Sequence, residues 1–251
     1  MIASLAMYDW PGQSTHWDAF WSHIRDALRA RNMPAPEHLS RDGNLWDHWQ
    51  NPDLILGQTC GLPYRQRLHE AVALVGTLDH ALPGAPPGHY YSVLVAHRDA
   101  PGEVIDFEEK TLAFNDPLSQ SGWAAPHAHG LTFNRTLHTG AHRESARAVA
   151  DGRADIAAID AETWRLIERY LPEIAAQLRF VAHTDPTPGL PLITARGRDA
   201  DAIFAAVQAA LTRTDPETLS ALHIRGIARI PAAAYLAIPT PPPLSGDVPA
   251  A

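Results

Sequence analysis

The chain has 251 residues, enough to bury one large core or two modest ones. Its net charge of −8 argues against a nucleic-acid partner, and its single cysteine, Cys60, excludes an intrachain disulfide framework and a zinc-finger spacing. No run of residues is long and apolar enough to span a bilayer.

The apolar start, Met1 to Met7, is short, lacks a basic region and has no A-x-A-like site before Tyr8-Asp9-Trp10-Pro11-Gly12. It reads as a first strand running into a loop rather than a secretory signal, so the chain is expected to be unexported. Ser14 is the expected cap of a helix on which Trp17, Phe20, Trp21, Ile24 and Leu28 recur at helical spacing as core anchors. Leu45 to Trp49 reads as a short helix. Leu54 to Leu56 and Ala71 to Val75 read as strands, and Tyr90 to Ala96 as a longer one after the turn Pro83 to Gly88.

A second series follows. Strands are expected at Thr111 to Phe114, Arg135 to His138, Asp155 to Asp160, Arg179 to Ala182 and Leu190 to Ala195. Helices are expected at His142 to Ala150, stopped by Gly152, at Thr163 to Tyr170 and at Asp201 to Leu211. Leu222 to Ile230 reads as a final strand, and the stretch 239–251 as a Pro-rich disordered tail. Repeated βα units predict an α/β protein of mainly parallel sheets flanked by helices. The Pro/Gly-flanked strands near Val95 and Val181 are the expected crossings between two lobes. Lobe one is then 1–95 plus 185–251, and lobe two, inserted, is 96–184, with a hinge between. Loops after strands gather ligands in such sheets, so Tyr8–Gln13, Gln58–Gly61, Asn115–Gly122, Thr139–His142 and Asp160–Thr163 would line one cleft.

The most informative of these loops is Asn115-Asp116-Pro117-Leu118-Ser119-Gln120-Ser121-Gly122, between a strand and a short helix. Hydroxyls and unpaired backbone N–H groups at a helix start suit an oxyanion. The plainer reading is a cap, with Ser119 or Ser121 satisfying the first amides. Fourteen histidines invite a metal reading. His127 and His129 do not share a helix face, and no HExxH, C-x-x-C or carboxylate set stands at ligand spacing, so no metal is expected. Gly-x-Ser-x-Gly, the P-loop and Gly-x-Gly-x-x-Gly are absent, and no cofactor is implied. Cys60 has no His or Asp at a spacing that supports a nucleophile and reads as a small buried residue.

Several segments resemble, in family order, the phosphate, phosphite and phosphonate substrate-binding proteins of ABC transporters, which have the type-2 periplasmic-binding-protein fold. They are Met7-Tyr8-Asp9-Trp10-Pro11, Gly57-Gln58-Thr59-Cys60-Gly61-Leu62-Pro63, Tyr90-Tyr91-Ser92-Val93-Leu94-Val95, the Asn115–Gly122 loop, Thr139-Gly140-Ala141-His142-Arg143-Glu144-Ser145, Asp155-Ile156-Ala157-Ala158-Ile159-Asp160 and Pro188-Gly189-Leu190-Pro191-Leu192-Ile193-Thr194. The resemblance implies oxyanion contact by Ser119, Gln120 and Ser121. Gln120 stands where these binders often carry Thr. It implies a further contact by His142, which near its ordinary pKa of about 6.5 gains charge beside an anion. Asp160 would accept from a protonated oxygen or an amine of the ligand, or cap the next helix. Tyr90 or Tyr91 matches a family aromatic. Thr59 would offer a hydroxyl or hold a turn, and Tyr8 would wall the cleft or pack.

The expected function is therefore capture of a small oxyanion between lobes, without catalysis, with an ABC permease as partner. The alternative is an enzyme of the same fold that performs acid–base chemistry on a phosphorylated or carboxylated metabolite. On localisation the two signals diverge: the start of the chain favours the cytoplasm and the resemblance the periplasm.

Overall fold

The computed structural model describes residues 1–241, so most of the expected tail over 239–251 lies outside the described residues. In chain order the strands are β1 (Ile2–Ser4), β2 (Leu54–Gln58), β3 (Val72–Asp79), β4 (His89–Tyr90), β5 (Ser92–His97) and β6 (Thr111–Phe114). They continue as β7 (Arg135–His138), β8 (Ile156–Asp160), β9 (Leu178–His183), β10 (Thr187–Pro188), β11 (Pro191–Ala195) and β12 (Gly226–Ala228).

The chain divides into two compact units. The first is Met1–Tyr90 with Thr187–Ala237, and the second is Tyr91–Pro186 with residues 238–241. The division falls before β5, not inside it at 95/96, because β5 pairs along its length with β8 and β9 in the second unit's sheet.

The first unit is built on the sheet β1-β2-β11-β3-β12. β1 and β2 run parallel, while β11 runs antiparallel to both β2 and β3, and β12 antiparallel to β3. The second unit is built on β7-β6-β8-β5-β9. There β6 is parallel to β7 and β8, and β5 is antiparallel to β8 and β9. The α/β class stands, but the sheets are mixed rather than mainly parallel. β5 and β11 follow β4 and β10 with no helix between to return them in the same sense, and each lies antiparallel between two strands that point the same way, β8 and β9 for β5 and β2 and β3 for β11.

The helix Ser14–Arg29 buries Trp17, Phe20, Trp21, Ile24 and Leu28, the residues whose spacing foretold it, against the helix Ala200–Arg213. Each such side chain contributes about 1.5–3 kcal/mol on burial. Ser14 is not the cap. Its hydroxyl donates to Asp9 Oδ1 at 2.7 Å, and the cap position belongs to Gln13. Near the C-terminus the expected strand Leu222 to Ile230 shrinks to β12, preceded by a helix, Pro216–Ala221. Asp215 accepts from Thr218 N at 2.8 Å, Pro216 opens the helix, and His223 at φ 51° ends the run.

In the second unit Leu94, Phe107, Leu112, Phe114, Trp123 and Ile156 form the core of the sheet. β6 and β8 are nearly fully buried apolar strands, and both point their C-terminal ends toward the loops that carry the polar residues of the next section.

Candidate functional site

The polar centre of the second unit is assembled from the C-terminal end of β6, the serine turn after it, the start of the helix His142–Ala150, and the adjoining ends of β5 and β8. After Phe114 the chain turns through Asn115-Asp116-Pro117-Leu118. Asp116 Oδ1 accepts from Leu118 N at 2.6 Å and its carbonyl from Ser119 N at 3.0 Å. This Asx turn delivers Ser119 in an extended conformation at the head of a wide helical turn, Gln120–Ala124, that runs on into Ala125–Ala128.

Ser119 is a cap: its Oγ accepts from Gly122 N at 2.9 Å. Ser121 is placed differently. Its Oγ lies 2.9 Å from His142 Nε2 and 3.4 Å from Ser119 Oγ, so both hydroxyls and the imidazole form one cluster. The Ser121 carbonyl accepts from Ser92 Oγ at 2.8 Å, which ties the turn to β5. Gln120, between the two serines, is fully buried.

Gly122 is required for this packing. A Cβ there would stand 1.9 Å from Asn115 Oδ1 and 3.2 Å from His142 Cε1. Asn115 and the His142 ring therefore both close on the Gly122 backbone. Asn115 Oδ1 is itself buried and has no hydrogen-bond partner among the described residues.

Asp160 is the last residue of β8 and faces Ser92 of β5 across the sheet. Directly opposed residues of an antiparallel pair project from the same face, with Cβ atoms about 4.5–5.5 Å apart. Asp160 thus shares a face of the sheet with Ser92, whose hydroxyl holds Ser121. It also caps the helix Ala161–Tyr170, with Oδ1 accepting from Glu162 N at 2.8 Å and Thr163 N at 3.0 Å. Tyr91 stands immediately before β5. Its carbonyl accepts from Ala161 N at 3.1 Å and its ring packs 5.0 Å from that of His183.

Burial holds the His142 imidazole down at about 4, against a weaker opposing pull from the Ala158 backbone. The ring is neutral near pH 7, its pKa well below the ordinary imidazole value of about 6.5. The tight packing of its ring against Gly122 and Ser121 is the cause, and spacing in the sequence does not report it.

The two remaining candidates belong to the first unit and are enclosed there. Tyr8 is buried with its ring edge-on to His80 at 5.1 Å, and its carbonyl accepts from Trp17 Nε1 at 3.1 Å. Thr59 is fully buried, donates its backbone N–H to Pro191 O at 3.0 Å, and has no partner for Oγ1 among the described residues. Among the described residues no three His, Cys, Asp or Glu side chains gather as a metal site. His127 packs on Trp123 at 4.4 Å, and His138, exposed at the end of β7, stacks on Phe114 at 5.3 Å.

Sequence reasoning assigned no role to Ser92, Asn115 or Gly122. The signal for Ser92 was a hydroxyl inside an otherwise apolar strand. Gly122 and Asn115 give no comparable signal, because their importance is a contact distance.

Two mixed sheets with β5 and β11 returning antiparallel, and a hydroxyl-rich turn after a buried strand, define the class as a two-unit mixed α/β protein. Solved structures share that fold. PhnD1 of Prochlorococcus marinus (MIT 9301), in complex with methylphosphonate, matches with a TM-score of 0.66 at 13% identity over 88% of this chain and 90% of that one. The binding protein component of an ABC phosphonate transporter from Pseudomonas aeruginosa matches with a TM-score of 0.61 at 19% identity over 86% and 77%.

The chain belongs to the family of ABC transporter, phosphonate, periplasmic substrate-binding proteins, whose model matches residues 56–235. It is 29% identical over 120 residues to the phosphonates-binding periplasmic protein of Escherichia coli (strain K12). The match covers 43% of this chain and spans 35% of the length of that relative. No helix among the described residues is long and apolar enough to cross a membrane.

Proposed function

We propose that this protein captures a small phosphonate-type oxyanion (phosphate and phosphite being the nearest chemical relatives) through the serine turn of its second unit, and releases it unchanged. The observation that carries this reading is the Ser121 Oγ–His142 Nε2 contact at 2.9 Å, beside a Ser119 fixed by Gly122 N. In the tautomer with its hydrogen on Nε2, neutral His142 donates to Ser121 Oγ and leaves the serine's own O–H for a ligand oxygen. Ser119 Oγ accepts from Gly122 and likewise keeps its O–H to give.

Hydrogen bonds to a charged acceptor contribute about 1.5–3 kcal/mol each, so a few of them suffice for micromolar affinity. The family and the methylphosphonate complex of a protein of the same fold support this ligand class. Asp160, Tyr91 and Gln120 complete the proposed contacts of the second unit. The proposed partner is an ABC permease. A binder rather than an enzyme is proposed because the family is one of substrate-binding proteins.

The test is a ligand panel read by thermal shift and calorimetry. Methylphosphonate at about 100 times its dissociation constant is expected to add roughly 2.7 kcal/mol of stability. Ser121→Ala and His142→Ala are each expected to weaken binding about tenfold or more, with the ligand recovered intact. Failure of every phosphorus oxyanion to shift the wild type would refute the proposal.

A further inference from the structure

The serine turn carries a carbonyl that its own helix cannot satisfy. In the wide turn Gln120–Ala124 two carbonyls are met from five residues further on. Ser119 O accepts from Ala124 N at 3.0 Å, and Gln120 O from Ala125 N. Next in that series is Ser121 O, whose partner would be the N–H of the residue at 126. That residue is Pro126, which has no N–H to give. The Ala125 N–H, one position nearer, is already bonded to Gln120 O.

The donor comes from another strand. Ser92 Oγ, in β5, donates to Ser121 O at 2.8 Å. Both residues are buried, and a buried carbonyl left without a donor is costly. Ser92 is itself held on its backbone. Its N–H donates to Thr184 Oγ1 at 3.0 Å, and its carbonyl accepts from Thr184 N at 3.0 Å. A hydroxyl has a single hydrogen, and that of Ser92 is given to Ser121 O rather than to a guest. The other end of Ser121 faces the site, with Oγ 2.9 Å from His142 Nε2 and 3.4 Å from Ser119 Oγ.

We propose that Ser92 is a positioning residue for oxyanion capture: its hydroxyl stands in for the N–H that Pro126 lacks, and so sets Ser121 and the spacing of the two serine hydroxyls. The inference rests on the proposed function and adds a residue that governs affinity without touching the ligand. Without the Ser92 hydroxyl, the turn satisfies Ser121 O by tightening onto Ala125 N or by rotating the Ser121 peptide. Either movement carries Ser121 Oγ away from His142 Nε2.

The experiment is calorimetric titration of the full chain and its variants with methylphosphonate at neutral pH, with circular dichroism to confirm folding. Ser92→Ala is expected to weaken binding about tenfold or more. Ser92→Thr keeps the hydroxyl and is expected to lose less than about threefold. Adding Pro126→Ala to Ser92→Ala returns an N–H at the fifth position, and is expected to recover most of the lost affinity. A residue that only steadied the strand, or one that touched the ligand directly, would not be rescued from Pro126. In the Ser121→Ala background, Ser92→Ala is expected to add less than about a threefold loss. The His142 Nε2 resonance is expected to move in Ser92→Ala and to return in the rescued protein.

Should Ser92→Ala fail to fold, Ser92→Cys, a weak donor at the same place, carries the same comparison. Wild-type affinity in the variant that lacks the hydroxyl, or a loss that Pro126→Ala leaves in place, would overturn the inference while leaving oxyanion capture intact. No methylphosphonate binding by the wild type would overturn the proposed function, and this inference with it.

Discussion

His142 shows how one contact sets chemistry. Its folded pKa of about 4 lies below the unfolded value of about 6.5. Above pH 6.5 neither state holds the proton and the residue costs nothing. As pH falls from 6.5 toward 4 the unfolded chain binds the proton first, so stability drops, by up to roughly 3 kcal/mol once pH is below both values. The loss of urea-unfolding free energy between pH 7 and pH 4.5 is therefore expected to be smaller in His142→Asn than in the wild type. An equal loss in both proteins would contradict the assignment.

Gly122 makes a second prediction at this scale. Gly122→Ala drives a methyl into Asn115 Oδ1 and is expected to destabilise the protein by about 1–3 kcal/mol. Adding Asn115→Ala, which removes that oxygen, is expected to recover much of the loss. Additive effects in the double-mutant cycle would show that the two residues do not meet. The serines and His142 were legible as residue types in a strand–turn–helix pattern. The pKa of His142 and the need for glycine were not, because both follow from distances of a few ångströms between segments 20 residues or so apart in the chain.

Elements were read well where periodicity was strong. The helix Ser14–Arg29 and the strands Thr111–Phe114 and Arg135–His138 follow directly from spacing and β-branched or aromatic content. The segment Leu222 to Ile230 misled because its apolar run lacks a strand neighbour for most of its length; only Gly226–Ala228 pairs with β3. Caps decided the boundaries. Asp199 accepts from Ala202 N at 2.9 Å at the head of the helix Ala200–Arg213, which packs on Ser14–Arg29. Asp199→Ala is expected to cost about 1 kcal/mol, and Asp199→Asn a few tenths at most, by denaturant midpoint. Equal losses would mean that the side chain does not act as a cap.

At the scale of the whole molecule the first unit is discontinuous. β11, from the C-terminal part of the chain, lies between β2 and β3 and hydrogen-bonds to both. A chain ending at Pro186 would leave β2 and β3, which point the same way, without the antiparallel strand that joins them. Such a truncation is expected to lose the near-UV circular dichroism of the buried Trp17, Trp21 and Tyr64 environment. Retention of that signal would show that β1 to β3 fold without β11.

The amino-acid sequence determined the local matters by itself: which stretches turn, which bury one face, where hydroxyls cluster, and the order of motifs that marks the family. Those follow from side-chain pattern and backbone preference within a dozen residues. The tertiary structure alone decided that β11 runs against its neighbours, that Ser92 and Asp160 stand opposite each other, and that His142 is held neutral against Ser121. Strand sense, cross-sheet pairing and desolvation depend on which distant segments meet, and no local preference encodes that meeting.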